Sequence, residues 1–126
     1  MWKVSSRVIH IAELLRKIPV VEAIFLQRIG VELLNPFSGY FKLRASIKSE
    51  KMIDIYERLV NGITVKYAYV LLIGKKAVMR YNNAPHHRQI ATFPHHKHVK
   101  NQVKPLYEPS IEAFIKEVKE ILETIK

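Results

Sequence analysis

The stretch Phe41-Lys42-Leu43-Arg44-Ala45-Ser46-Ile47-Lys48 decides the fold. Apolar and polar side chains alternate along it, so an extended chain presents one apolar face and one basic face. Residues 51–60 follow and run into Asn61-Gly62, a dipeptide that tolerates the left-handed conformations of a two-residue hairpin turn. Residues 63–73 then lead to Gly74-Lys75, a second two-residue turn with glycine first, and residues 76–82 complete the run. The expectation is an antiparallel meander of four to five strands over about residues 40–82.

Two-residue turns at 61–62 and 74–75 imply a register. They set Asp54 opposite Tyr69 and Tyr69 opposite Arg80, and Tyr56 opposite Tyr67 and Tyr67 opposite Asn82. Ile53, Ile55, Ala68, Val70, Leu72, Ala77, Met79 and Tyr81 then form the core face. Keeping Ile47 on that face requires a three-residue loop, 49–51, which puts Ser46 beside Asp54 and Arg44 beside Tyr56. The second face carries Arg44, Asp54, Tyr56, Arg58, Tyr67, Tyr69, Arg80 and Asn82. Glu57 falls on the core side opposite Lys66, as a cross-strand ion pair.

Outward from the meander, Val4, Val8, Ile11, Leu15 and Ile18 recur at helical spacing, which predicts a helix over about 4–18 capped by Ser5 or Ser6 and ended by Pro19. Residues 20–34 suit a helix or a bent strand, and their β-branched content with Gly30 favours the strand; Asn35 to Gly39 reads as a turn. Residues 83–109 hold four prolines and no sustained period, so they read as a long histidine-rich loop. Ser110 caps a helix over 110–125 whose stripe is Ile111, Phe114, Ile115, Val118, Ile121, Leu122 and Ile125. The class is α+β, one domain over 1–126, with both helices covering the sheet.

There is no cysteine among the 126 residues, which excludes disulfides, thiolate metal sites and a cysteine nucleophile. No apolar run is long enough to span a bilayer and the start lacks a signal peptide's apolar core, so the expected location is the cytoplasm with no membrane contact. The wealth of Ile, Lys and Glu with few Gln is a thermophile's pattern. Between Arg58 and Tyr107 lie nine Lys or Arg and no acid, in a chain of net charge +10. Such a field suits a phosphate-rich partner or an acidic protein.

Five of the six histidines also lie in that stretch. His86, His87, His95, His96 and His98 are the candidate acid–base groups, because imidazole exchanges protons near neutral pH. Arg80 and Arg44 are the candidate phosphate clamps. Tyr67, Tyr69, Asn82, Asn83 and Lys97 are candidate substrate contacts, the tyrosines as stacking platforms, and Asp54 and Glu57 the nearest carboxylates. No metal is assigned, since a two-magnesium site wants carboxylates, although imidazoles alone suit zinc or nickel. Plainer readings stand beside these: a solvated histidine loop, Tyr67 and Tyr69 as sheet residues under the first helix, Asp54 with Arg80 as a structural pair, solvated Arg44 and Arg58, and an exposed or structural His10. Histidines folded back over the sheet would converge on the Tyr67, Tyr69, Arg80 and Asn82 face.

Lys66-Tyr67-Ala68-Tyr69, Met79-Arg80-Tyr81-Asn82-Asn83-Ala84-Pro85-His86-His87 and Thr92-Phe93-Pro94-His95-His96-Lys97-His98 resemble the TumE family. The match is strongest over about residues 40–100. The resemblance implies a prokaryotic toxin of a toxin–antitoxin pair and a cognate antitoxin, often a helix-turn-helix protein. Relatives commonly carry Asp where this chain has Asn82, which removes a carboxylate from the motif, whereas Glu57 looks like a Glu that relatives share. The resulting expectation is an RNA-acting toxin, a metal-independent, histidine-based endoribonuclease able to form a homodimer. The alternatives are a binding module without turnover and a protein built round a histidine–metal site.

Overall fold

The computed structural model describes residues 1–125. Its strands run β1 (Val21–Glu32), β2 (Asn35–Ile47), β3 (Lys51–Val60), β4 (Ile63–Ile73), β5 (Lys76–Asn82), β6 (His96–Val99) and β7 (Gln102–Pro105). They pair in chain order as one seven-stranded antiparallel sheet, flanked in sequence by α1 (Val4–Arg16) and α2 (Ile111–Thr124). The α+β class and the flanking helices are as expected, but the meander has seven strands rather than four or five. β1 settles residues 20–34 as strand, and the turn before β2 is Leu33-Leu34, not Asn35 to Gly39. β6 and β7 lie inside the stretch expected to be loop, joined through Lys100 and Asn101, both of positive φ.

Both helices cover the same sheet face. α1 buries Val4, Val8, Ile11 and Leu15, and α2 buries Ile111, Phe114, Ile115 and Val118. Each such side chain is worth about 1.5–3 kcal/mol of transfer free energy, so the two stripes hold the helices down. Ser110 caps α2 by accepting from the Ala113 amide at 3.1 Å. α1 starts two to three residues earlier than a serine cap would place it, with Lys3 at the cap and Ser5 and Ser6 inside the first turn. Its start is held by Trp2, whose amide donates to the Gly62 carbonyl at 3.1 Å. Gly62 sits at φ +82, and a Cβ there would come 2.7 Å from Met1. Glycine is therefore required both for the turn and for that approach.

The sheet register departs from the two-residue-turn map in one respect that changes the site. Arg58 pairs with Lys66 but Leu59 pairs with Thr64, so Val65 is an extra residue in β4. This β-bulge flips everything after it. Tyr69 sits opposite Ile55, not Asp54, and Tyr67 sits opposite Glu57, not Tyr56. Tyr67, Tyr69 and Leu71 thus enter the core, and Ala68, Val70 and Leu72 do not. A second bulge at Val78 restores the parity, so Met79 and Tyr81 are buried as expected. The loop before β3 has three residues, but they are 48–50, which pairs Arg44 directly with Asp54.

Glu57 is on the core face and fully buried. Its partner is Arg7 of α1, not Lys66: Arg7 Nε and Nη2 donate to its two carboxylate oxygens at 2.8 and 2.9 Å. The Tyr69 hydroxyl donates at 2.5 Å and Thr64 at 3.2 Å. This bidentate pair pins α1 to the middle of the sheet.

Candidate histidine centre on the helix-free face

Paired residues of antiparallel strands share a face, so the register itself lays out the uncovered surface. One row runs Arg28, Lys42, Tyr56, Ala68, Asn82, His96 across β1 to β6. The next runs Arg44, Asp54, Val70, Arg80, His98. A third begins Gly30, Tyr40, Arg58, Lys66. In that row a Cβ on Gly30 would lie 2.4 Å from the Tyr40 ring, and the Arg58 guanidinium stands 5.4 Å from the ring centre. The helix-free face is thus basic with aromatic inserts at one end, and two rows end in histidines at the other.

The loop between β5 and β6 returns over that histidine end. Successive turns shape it, with amide-to-carbonyl bonds from Ile90 to His87, from Phe93 to Ile90 and from His95 to Thr92. The Thr92 hydroxyl donates to the His95 carbonyl at 2.6 Å and accepts from the Leu106 amide at 2.8 Å, tying the loop to the segment after β7. Asn82 Oδ1 accepts from the Ala84 amide at 3.0 Å and so starts the loop. Asn83 accepts from the Tyr67 amide and donates to the Val65 carbonyl, which satisfies the backbone around the bulge.

His87 from this loop meets His96 and His98 from β6. The ring centres are 4.8 Å apart for His87–His96, 5.5 Å for His87–His98 and 5.1 Å for His96–His98, with planes crossing at 73°, 68° and 75°. One nitrogen from each lies within 4.8 Å of the others. His96 is buried, and its Nδ1 donates to the Pro94 carbonyl at 2.9 Å, because a carbonyl can only accept. In the neutral ring that bond places the proton on Nδ1 and the lone pair on Nε2. Burial, then the fields of His96, His87 and Arg80, hold the His98 imidazole below its ordinary value. Arg80, across from His98, is exposed. Among the described residues no carboxylate lies within salt-bridge distance of it.

The remaining sequence candidates are distributed elsewhere. His86 is exposed and outside the cluster. His95 turns to the Tyr67 hydroxyl, 2.8 Å from its Nδ1, and burial followed by the field of His96 lowers its pKa. Tyr67 and Tyr69 line the helix side, in tilted contact with ring centres 5.0 Å apart, so the expectation that they face outward is corrected by the Val65 bulge. Lys97 also faces the helices, donating to Glu117 at 3.1 Å beside the Tyr81 hydroxyl, which donates to the same carboxylate. Arg44 is held by Asp54 through two hydrogen bonds of 2.7 and 2.8 Å. Lys42, Tyr56 and Arg28 were not singled out as contacts from sequence. Their signal was parity, since Lys42 shares a face with Arg44 and Tyr56 with Asp54.

A family model described as Toxin TumE matches residues 11–122. No curated protein and no solved structure matches the chain. No helix among the described residues is long and apolar enough to cross a membrane.

Proposed function

This chain belongs to the TumE toxin family, and from that premise we propose that it acts on RNA, cleaving the phosphodiester backbone at the His87–His96–His98 centre. Membership of a toxin family implies an antitoxin partner. The observation that supports the RNA reading is the convergence of three imidazoles and Arg80 at the end of a basic, aromatic-bearing sheet face. Rows of strands lie about 4.8 Å apart, so the four steps from β2 to β6 span roughly 19 Å, the length of a few nucleotides. Lys42, Arg58 and Lys66 steer the strand by counterion release, and Tyr40 and Tyr56 offer rings to bases.

Cleavage of RNA joins the 2′-oxygen to phosphorus and breaks the bond to the 5′-oxygen, so it needs a proton acceptor for the attacking 2′-hydroxyl, a cation for the charge that grows on the phosphate, and a proton for the departing 5′-oxygen. The triad supplies the first and the third: burial favours the His98 lone pair, which takes the 2′-hydroxyl proton, and the neighbouring His87 imidazole, its ring centre 5.5 Å away, delivers one to the 5′-oxygen. Arg80 supplies the second, with a planar fork that takes two phosphate oxygens at once. Arg44 is engaged by Asp54 and plays a lesser part.

Induced expression in a bacterial host tests this reading. Growth arrest with new, defined RNA ends, absent with Arg80→Gln, is the expected result. Arrest with intact RNA would overturn it in favour of another target, and stoichiometric protection of RNA without new ends would favour the binding module.

A further inference from the structure

We propose that His87, His96 and His98 form a facial three-nitrogen site for one divalent transition-metal ion, of the zinc, nickel or cobalt class. The donors come from two pieces of backbone that are fixed before any ion arrives. His96 and His98 are two residues apart on one strand, so their side chains share a face. His87 is delivered by a loop tied down through Thr92, Asn82 and the turn bonds described above. Metal–nitrogen bonds of about 2.0–2.1 Å in a tetrahedral set imply nitrogens about 3.3 Å apart. The observed outer limit of 4.8 Å is within reach of small rotations about the side-chain bonds. The three near-perpendicular ring planes let each lone pair approach a shared point without the rings colliding.

Two further features favour an ion over a mere cluster. The Nδ1–H of His96 is anchored on a backbone carbonyl, which is how metal-bound imidazoles are commonly oriented and made better donors. The three imidazoles, with ligand atoms within 4.8 Å of one another, have no acidic group among them, so every donor the cluster offers is a nitrogen. A nitrogen-only donor set selects borderline metals and disfavours magnesium and calcium, which want oxygen. Three ligands leave a fourth position, where bound water has a pKa brought towards neutrality. With the ion bound the histidine lone pairs are taken up, so that water replaces His98 as the proton acceptor; this role rests on the function proposed above, whereas the binding of the ion does not.

Tag-free protein, stripped with chelator, is titrated with zinc by calorimetry and with cobalt by its visible absorption. One ion per chain is expected, with a nitrogen-rich, four-coordinate cobalt spectrum and a rise in melting temperature on zinc addition. His98→Ala and His87→Ala should each weaken uptake by more than the ~10–100-fold that losing an outer-shell partner costs, while His10→Ala on α1 leaves it unchanged. His87 is on a loop, so His87→Ala keeps the test valid if His98→Ala fails to fold. Absence of one-to-one uptake by folded protein, or uptake unchanged in His87→Ala, would overturn the site. Uptake without RNA cleavage would sink the RNA reading alone. Chelator-resistant cleavage by protein that takes up no ion would sink the metal site alone.

Discussion

Replacing Arg7 with Ala isolates the interaction that seats α1 on the sheet. Glu57 is fully buried and Arg7 is 12% exposed, so solvent screens the pair weakly. The substitution removes two of the four hydrogen bonds that Glu57 accepts and leaves its charge with only the hydroxyls of Tyr69 and Thr64. Breaking one side of a buried pair costs about 3–5 kcal/mol. A domain of this size has roughly 6–19 kcal/mol in all, so the loss is a large share. At about 3–5 °C per kcal/mol the melting temperature should fall by roughly 10–25 °C. Urea denaturation followed by circular dichroism gives the free energy directly. Arg7→Met with Glu57→Leu should recover most of the loss, because the stranded charge is then gone. A cost under about 1 kcal/mol for Arg7→Ala is what a solvated ion pair gives, and it would refute the burial of Glu57 beneath α1.

Deleting Val65 removes the bulge but keeps Leu59 opposite Thr64 and Arg58 opposite Lys66, so Tyr67, Tyr69 and Leu71 stay inward and the variant should still unfold cooperatively; loss of a cooperative melt would contradict the register. Burial and neighbouring positive charge lower the pKa of His95 and His98 from 6.5. The unfolded chain therefore takes up protons first on acidification. Metal-free protein should keep its full stability above about 6.5 and lose it as the pH falls from there through the folded values; urea midpoints across pH 5–8 check the sign. Arg80→Gln should lower RNA affinity and flatten the salt dependence by about one phosphate's worth, and an unchanged slope would show that Arg80 meets no phosphate.

The alternation in β2 and the turns at 61–62 and 74–75 were legible because each is a local signal. The bulges were not. β4 is apolar at both parities, with Val65, Tyr67, Tyr69 and Leu71 on one set and Ala68, Val70 and Leu72 on the other. Pattern therefore could not say which set faces the core, and counting from the turns misses an inserted residue. β6 and β7 are four residues each, polar and bounded by proline, so they carry no periodic signal. The Arg7–Glu57 pair left one trace: both are charged residues at core-face positions, Arg7 three after Val4 and four before Ile11. At the site, the histidine cluster was visible as composition. Its division was set by strand parity, which sends His96 and His98 one way and Lys97 the other. That parity became available only once β6 was known to be a strand.

The most direct test of RNA cleavage at the histidine centre compares tag-free protein with its His87→Ala variant on one defined RNA under multiple turnover, both confirmed folded. The wild-type protein is predicted to yield discrete ends at many turnovers per chain, and the variant to be slower by ~100-fold or more, the contribution expected of a proton-transfer group. RNA left intact by the folded wild-type protein, or cut as fast by His87→Ala, would contradict the account.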